Sequence, residues 1–214
     1  MTSGKTVYVV DDDSGVRQAL SSLLRSVGLR VETFGTAHEF LDSQRADMPS
    51  CLVLDVSLPD GSGLDLPNEL HNLDVPLPII FITGHGTIPM SVRAMKSGAL
   101  EFLTKPFRDE DLLGAIDIAL ERDREARADR SEQAEARGRI DRLTPREREV
   151  LYLVVTGKMN KQIAAQLGTA EQTVKQHRGR VMRKLEVSSV AELVRVVERA
   201  SGHAQSAAAP DRES

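Results

Sequence analysis

The sequence predicts a doubly wound α/β fold with a five-stranded parallel sheet, followed by a helical linker and an all-α unit of four helices. Three observations carry this. Short apolar runs at 7–10, 51–54, 78–82 and 101–104 each stop at a polar residue and alternate with helical patterns, as buried parallel strands do. The charge divides along the chain: residues 1–120 hold 9 basic and 17 acidic side chains, residues 144–199 hold 11 and 6, and residues 121–143 hold 7 of each. An acidic front and a basic back mark two modules, the second facing a polyanion. At 214 residues the chain has length enough for two cores.

The elements follow in order. The run Val-Tyr-Val-Val is the first strand. From Ser14, the residues Val16, Leu20, Leu23, Leu24 and Val27 share one helical face, and Gly28 stands where a C-cap belongs. A strand at 30–34 and a helix at 37–44 precede the strand that ends at Asp55. Gly61-Ser62-Gly63 opens a third helix, in which Pro67 is tolerable only near the first turn. A fourth helix covers 88–97, and a fifth starts near Asp109 with Leu112, Leu113, Ile116 and Ala119 inward. Beyond Glu121 apolar residues nearly vanish and charges alternate. The i,i+4 pairs Asp123–Arg127 and Glu135–Arg139 favour a continuous solvated helix to Arg142; the alternative is a flexible charged tether broken near Gly138. Thr144-Pro145-Arg146-Glu147 is a helix start with cap hydroxyl, first-turn proline and returning glutamate. Helices at 145–156, 160–167, 171–185 and 189–199 complete the second unit, which divides the chain into 1–121, a linker at 122–141, 142–200, and an Ala/Ser/Pro-rich disordered tail at 201–214.

Composition excludes several classes. Cys51 is the lone cysteine and lies inside an expected strand, so there is no disulfide framework, and a reducing cytoplasm fits. No apolar run approaches the roughly 18 residues of a membrane span, and the first residues carry no signal-peptide core.

Chemistry in open parallel sheets gathers at the carboxyl ends of the strands. Four such ends here bear Asp11-Asp12, Asp55, Thr83 and Lys105. Crowded carboxylates repel unless a cation offsets them, and an all-oxygen donor set suits Mg2+. Such a site clamps a phosphoryl group. Asp55, central on its strand, is the natural nucleophile; Lys105 supplies a point charge and Thr83 a hydroxyl to phosphoryl oxygens. Ser57 and His85, two residues beyond Asp55 and Thr83, stand where they overhang the site and gate water; for His85 the alternative is a solvated loop residue flanked by Gly84 and Gly86.

The stretches VYVVDDD, LVLDVSLPDGSG, IIFITGHG and EFLTKPF resemble the receiver domain of two-component response regulators, over residues 6 to about 120. The resemblance implies a flavodoxin-like sheet and phosphorylation of Asp55 by a sensor histidine kinase. It also implies Mg2+ held by Asp12, Asp55 and the Ser57 carbonyl with Asp11 acting through water, a cis Lys105–Pro106 peptide, and Thr83 with Phe102 as a switch pair. Taken alone, Phe102 is an ordinary core residue.

Residues 160–179 have the strict positions of a helix-turn-helix: Ala164 where helices approach, Gly168 in the turn, Val174 packing back. The second helix carries Thr173, Lys175, Gln176, Arg178, Gly179, Arg180, Arg183 and Lys184, a cationic set suited to a major groove. The string from Leu143 to Val187 resembles the DNA-binding domain of the LuxR/NarL class, and the whole chain resembles the FixJ subgroup. That implies base-facing positions at Lys175, Gln176 and Gly179, double-stranded promoter DNA and RNA polymerase as partners, and a homodimer on phosphorylation. Two features depart from the class: Gly179 has no side chain to read a base, and Ala170 replaces the usual cap serine, leaving Thr169 with Gln172 as a shifted cap. The stripe Val190, Leu193, Val194 and Val197 is core, a dimer face, or both.

The expected function is a phosphorylation-dependent, DNA-binding transcriptional regulator of a bacterial two-component system, not an enzyme. The enzymatic rival is an aspartate-nucleophile phosphohydrolase, whose second aspartate two residues after the nucleophile is here Ser57.

Overall fold

The computed structural model describes residues 4–73 and 75–202, and they form two compact units, divided between Arg127 and Ala128. In the first unit β1 (Thr6–Val10), β2 (Arg30–Phe34), β3 (Ser50–Asp55), β4 (Ile79–Thr83) and β5 (Glu101–Thr104) make one parallel sheet in the order β2-β1-β3-β4-β5. Helices α1 (Ser14–Ser26), α2 (Ala37–Leu41), α3 (Leu66–Asn72), α4 (Ile88–Lys96) and α5 (Asp109–Asp141) alternate with the strands. The fold class read from the sequence is the one observed.

The inner strands are apolar on both faces because both faces are covered. Val7, Val9, Cys51, Val53, Ile80 and Ile82 pack with Leu20 and Leu24 of α1 and Leu112 and Ile116 of α5. Their neighbours Tyr8, Val10, Leu52, Leu54 and Phe81 pack on the other side with Phe40 of α2, Leu66 and Leu70 of α3, and Ala94 of α4. The order reverses direction between β1 and β3, and at such a switch point the loops diverge to leave a crevice. Register then decides what lines it. Val10 pairs with Leu54 and Asp55 with Ile82, so Asp11, Asp55 and Thr83 emerge from three adjacent strands at one level.

Three local readings need correction. The second helix ends at Leu41, capped at Thr36 (its Oγ1 accepts the Glu39 N–H), and does not reach Gln44. Gly61 and Ser62 do not open a helix: they pair antiparallel with Leu58 and Ser57 in a short hairpin, a 3-10 turn covers Gly63–Asp65, and α3 starts at Leu66 with Pro67 in its first turn. The charged stretch after Glu121 is helical without a break at Gly138, as expected, but it is not solvated throughout. Asp123 is only 1% exposed. Its Oδ2 accepts the Ser50 N–H at 2.8 Å and Arg127 Nε at 2.6 Å, while Arg127 Nη1 reaches Asp47 at 2.6 Å. This latch fastens α5 to the start of the strand that ends at Asp55. Asp123→Ala strands a buried N–H and is expected to cost about 1–3 kcal/mol, read as faster hydrogen exchange at the Ser50 amide. Exchange unchanged from wild type would show that the latch carries no weight.

In the second unit α6 (Pro145–Val155), α7 (Asn160–Leu167), α8 (Glu171–Lys184) and α9 (Val190–Ala200) enclose Val150, Leu151, Val154, Ile163, Val174, Val181, Leu185 and Leu193. Ala136 and Ile140 from the end of α5 join this core. The Thr144–Glu147 capping box forms. Gly168 closes α7 in the left-handed conformation at φ 61°. Ala170 is the N-cap residue of α8 and offers no side-chain cap, so the shifted Thr169 cap is not used. Ser201 and Gly202 are a turn, and the rest of the expected tail lies outside the described residues.

Candidate functional site

Four of the five strand ends contribute to the pocket, and backbone N–H groups hold Asp11, Asp55 and Thr83 in place. Asp11 is buried, and its Oδ1 accepts the Asp13 N–H at 2.9 Å, tightening the turn out of β1. Asp13 then caps α1, its Oδ1 accepting the Gly15 and Val16 N–H groups. Asp55 is 6% exposed; its Oδ1 accepts the Ser57 N–H at 2.9 Å. Lys105 directly follows β5 and precedes a cis Lys105–Pro106 peptide, and its Nζ stands 2.6 Å from Asp11 Oδ2 and 2.7 Å from Asp55 Oδ2.

Burial pushes the Asp11 carboxyl above the ordinary carboxylate range, against the opposing pull of its Lys105 hydrogen bond. Burial alone would lower the Lys105 ammonium, but its bonds to Asp11 and Asp55 hold it above its usual value. Asp12 is exposed. Carboxylate oxygens of Asp11, Asp12 and Asp55 all lie within 4.8 Å of one another, a donor set of oxygens that fits a hard divalent cation.

Thr83 is buried, and its Oγ1 accepts the His85 N–H at 3.2 Å, which folds the loop after β4 back on the strand. Phe102 is half-buried. Between them stands Gly86, where a Cβ would fall 3.3 Å from both Thr83 Cγ2 and the Phe102 ring and 2.4 Å from Thr104 Cγ2. The loop is therefore the physical link between the two expected switch residues. His85 and Ser57 are both exposed at the rim. Cys51 is buried in the core, which holds its thiol well above the ordinary range.

Two contributors escaped sequence reasoning. Gly63 packs so closely that a Cβ would stand 2.1 Å from the Asp55 carbonyl oxygen, while its N–H donates to Val56 O at 2.9 Å. The hairpin before it makes this approach. Arg17, one turn into α1, donates from Nη1 to the carbonyls of Asp11 at 2.6 Å and Asp12 at 2.9 Å. A cation four residues after the Asp13 cap was the available signal, and it reads equally as a solvated helix face.

In the second unit Lys175, Gln176, Gly179, Arg180 and Arg183 are exposed on α8, and Thr173 and Arg178 are half-buried. Arg178 Nη1 donates to Asn160 Oδ1 at 3.2 Å, bracing α8 on α7. Lys184 has a structural duty: its ammonium lies 2.6 Å from Oε2 of the buried Glu147 and donates to Arg142 O. The Lys184 hydrogen bond holds the Glu147 carboxyl below its ordinary range. On α9 Leu193 is buried, Val190 and Val197 pack on the core, and Val194 is half-exposed. On the first unit Ile88, Val92 and Met95 of α4 and Ile118 of α5 are exposed apolar residues. Among the described residues no helix is long and apolar enough to cross a membrane.

Comparison with known proteins assigns both units. Residues 7–117 match the response regulator receiver domain, and residues 141–197 match the luxR family of bacterial regulatory proteins. The chain is 55% identical over 192 residues to Nodulation protein W of Bradyrhizobium diazoefficiens, covering 90% of this chain and 85% of that one. Its structure resembles that of the response regulator StyR, with a TM-score of 0.81 and 50% identity over 92% of this chain and 100% of that one. Full-length FixJ from B. japonicum matches at a TM-score of 0.57 and 37% identity, over 94% and 99%.

Proposed function

Because the chain belongs to the response regulators that join a receiver to a LuxR-type DNA-binding domain, we propose that Asp55 is its phosphoacceptor and that phosphorylation there governs DNA binding by α8. The observation that supports this best is the convergence of Asp11, Asp12, Asp55 and Lys105 at the sheet's switch point. Residues 1–121 carry the receiver function, 142–200 the DNA-binding function, and the helix between them connects the two.

The donor is a sensor histidine kinase. An Asp55 carboxylate oxygen attacks phosphorus as the P–N bond of the kinase phosphohistidine breaks, and the leaving imidazole keeps the electron pair and takes a proton. Asp12, Asp55 and the Ser57 carbonyl, with Asp11 through water, would hold Mg2+, which would supply charge neutralisation at the phosphoryl oxygens. The Ser57 N–H fixes Asp55 in orientation. The Lys105 ammonium moves from the Asp55 carboxylate to a phosphoryl oxygen, and the Thr83 hydroxyl, whose oxygen accepts the His85 N–H, swings to donate its O–H to another. The loop that Thr83 holds then shifts, and Phe102 turns into the space. The apolar residues of α4 and α5 become the dimer face, bringing two basic units onto a twofold promoter site where RNA polymerase is the downstream partner. The protein acts in the cytoplasm and turns over no phosphomonoester.

Base reading and phosphate binding separate by mutation. Arg183→Ala is expected to weaken binding to every sequence and lower the salt slope by about one. Lys175→Ala or Gln176→Ala is expected to cost about 1–3 kcal/mol on the best site and relax sequence preference. Lys184→Ala belongs to neither set: it leaves Glu147 buried without its cation and is expected to destabilise the unit. Because pairing depresses the folded Glu147 pKa, the stability it contributes is complete above the unfolded carboxylate range and lost as pH falls through the folded value. Binding isotherms across salt on cognate and random duplexes decide this, and identical behaviour of Arg183→Ala and Lys175→Ala would remove α8 from the groove.

A further inference from the structure

We propose that Arg17 is a positioning residue for the divalent cation: it clamps the main-chain turn that presents Asp12, and so sets the Mg2+ affinity of the acidic pocket. This rests on the reading of that pocket as a Mg2+ site.

The carboxylates are not held alike. Asp11 and Asp55 are fixed at their oxygens by Lys105 and by the Asp13 and Ser57 N–H groups. Asp12 is exposed, and among the described residues its carboxylate has no hydrogen bond or ion pair. Its position is therefore set by its backbone. That backbone leaves β1 after the Asp11 N–H donates to Phe34 O at 3.2 Å, and it enters α1 at the Asp13 cap. Between those points the carbonyls of Asp11 and Asp12 both accept from Arg17 Nη1. The helix aims the guanidinium, since the Arg17 N–H donates to Asp13 O at 3.0 Å in the first turn. Without the guanidinium the two carbonyls turn to water, and the turn that carries Asp12 keeps only the Asp13 N–H bond to Asp11 Oδ1 as a side-chain restraint between strand and cap.

Electrostatics alone gives the opposite sign. A cation beside the pocket repels Mg2+, so removing its charge would tighten binding. Residues that orient metal ligands without touching the metal typically contribute 10- to 100-fold in affinity. Charge and clamp thus predict opposite results for one substitution.

The test is calorimetric titration of Mg2+ into the full chain, into Arg17→Met, which keeps the stem without donors or charge, and into Arg17→Lys, which keeps both on a shorter reach. Urea unfolding of each metal-free protein accompanies it. Expected is a roughly tenfold loss of Mg2+ affinity in Arg17→Met, partly restored in Arg17→Lys, with the metal-free stability of Arg17→Lys equal to wild type. Arg17→Met binding Mg2+ as tightly as wild type, or more tightly, overturns the clamp. A wild-type protein that takes up no Mg2+ would instead overturn the reading of the pocket itself, so the two failures are distinguishable.

Discussion

Asp55→Asn is expected to abolish phosphorylation altogether. With Mg2+ and an acyl phosphate donor, the wild-type chain should gain one base-labile phosphoryl group by intact mass, and the variant none. The substitution is nearly isosteric. Its side-chain oxygen can still accept the Ser57 N–H, and Lys105 keeps its contact with Asp11, so the pocket retains its shape. What is lost is the anionic nucleophile, and an amide oxygen has neither the charge nor the basicity to replace it. The consequences should extend to the second unit. Phosphorylated wild type is expected to sediment as a dimer and bind its site more tightly, while Asp55→Asn treated in parallel stays as it was. Linkage requires the reverse as well: a duplex that prefers the dimer must favour the phosphorylated state by the same free energy. Equal labelling of wild type and variant would remove Asp55 from the role. A wild-type dimer of equal strength in both conditions would show that phosphorylation acts on a preformed assembly.

Gly63→Ala is expected to slow phosphorylation about 100-fold while leaving every chemical group of the pocket in place. A methyl group at residue 63 would lie 2.1 Å from the Asp55 carbonyl oxygen, 3.1 Å from its carbon and 3.2 Å from Val56 Cα. These are backbone atoms of the strand end, so no rotamer relieves the clash. Nor can Gly63 simply retreat, because its N–H is bound to Val56 O and the hairpin fixes its approach. Relief requires moving the Asp55 peptide by about an ångström, and a misplacement of that size at a reacting group costs roughly 100-fold. Overpacking adds about 1–3 kcal/mol of destabilisation. Labelling time courses at saturating Mg2+, on protein shown folded by circular dichroism, would measure the effect. A wild-type rate in the variant would mean that the hairpin yields and Asp55 does not.

The sequence by itself determined the fold class and the acidic pocket. The three inner strands were legible because burial on both faces leaves an unbroken apolar run, and a parallel sheet brings the ends of its strands to one edge. Asp11, Asp55 and Thr83 therefore had to be neighbours once their strands were recognised, whatever the details between. The helix-turn-helix was legible for a similar reason, since Ala164, Gly168 and Val174 answer local geometric demands. Tertiary structure alone decided roles that depend on a partner far along the chain. Asp123 has the alternating charges of a solvated helix around it, and it is buried because Ser50, 73 residues earlier, presents an N–H to it. Lys184 reads as one more cation on a DNA-facing helix, yet Glu147, 37 residues away, holds its ammonium. Gly63 and Arg17 are nearer in sequence to what they touch, but they act on main-chain carbonyls. Every residue has a carbonyl, so a contact with one leaves no mark in the pattern of side chains, and only the folded backbone shows which carbonyl is within reach.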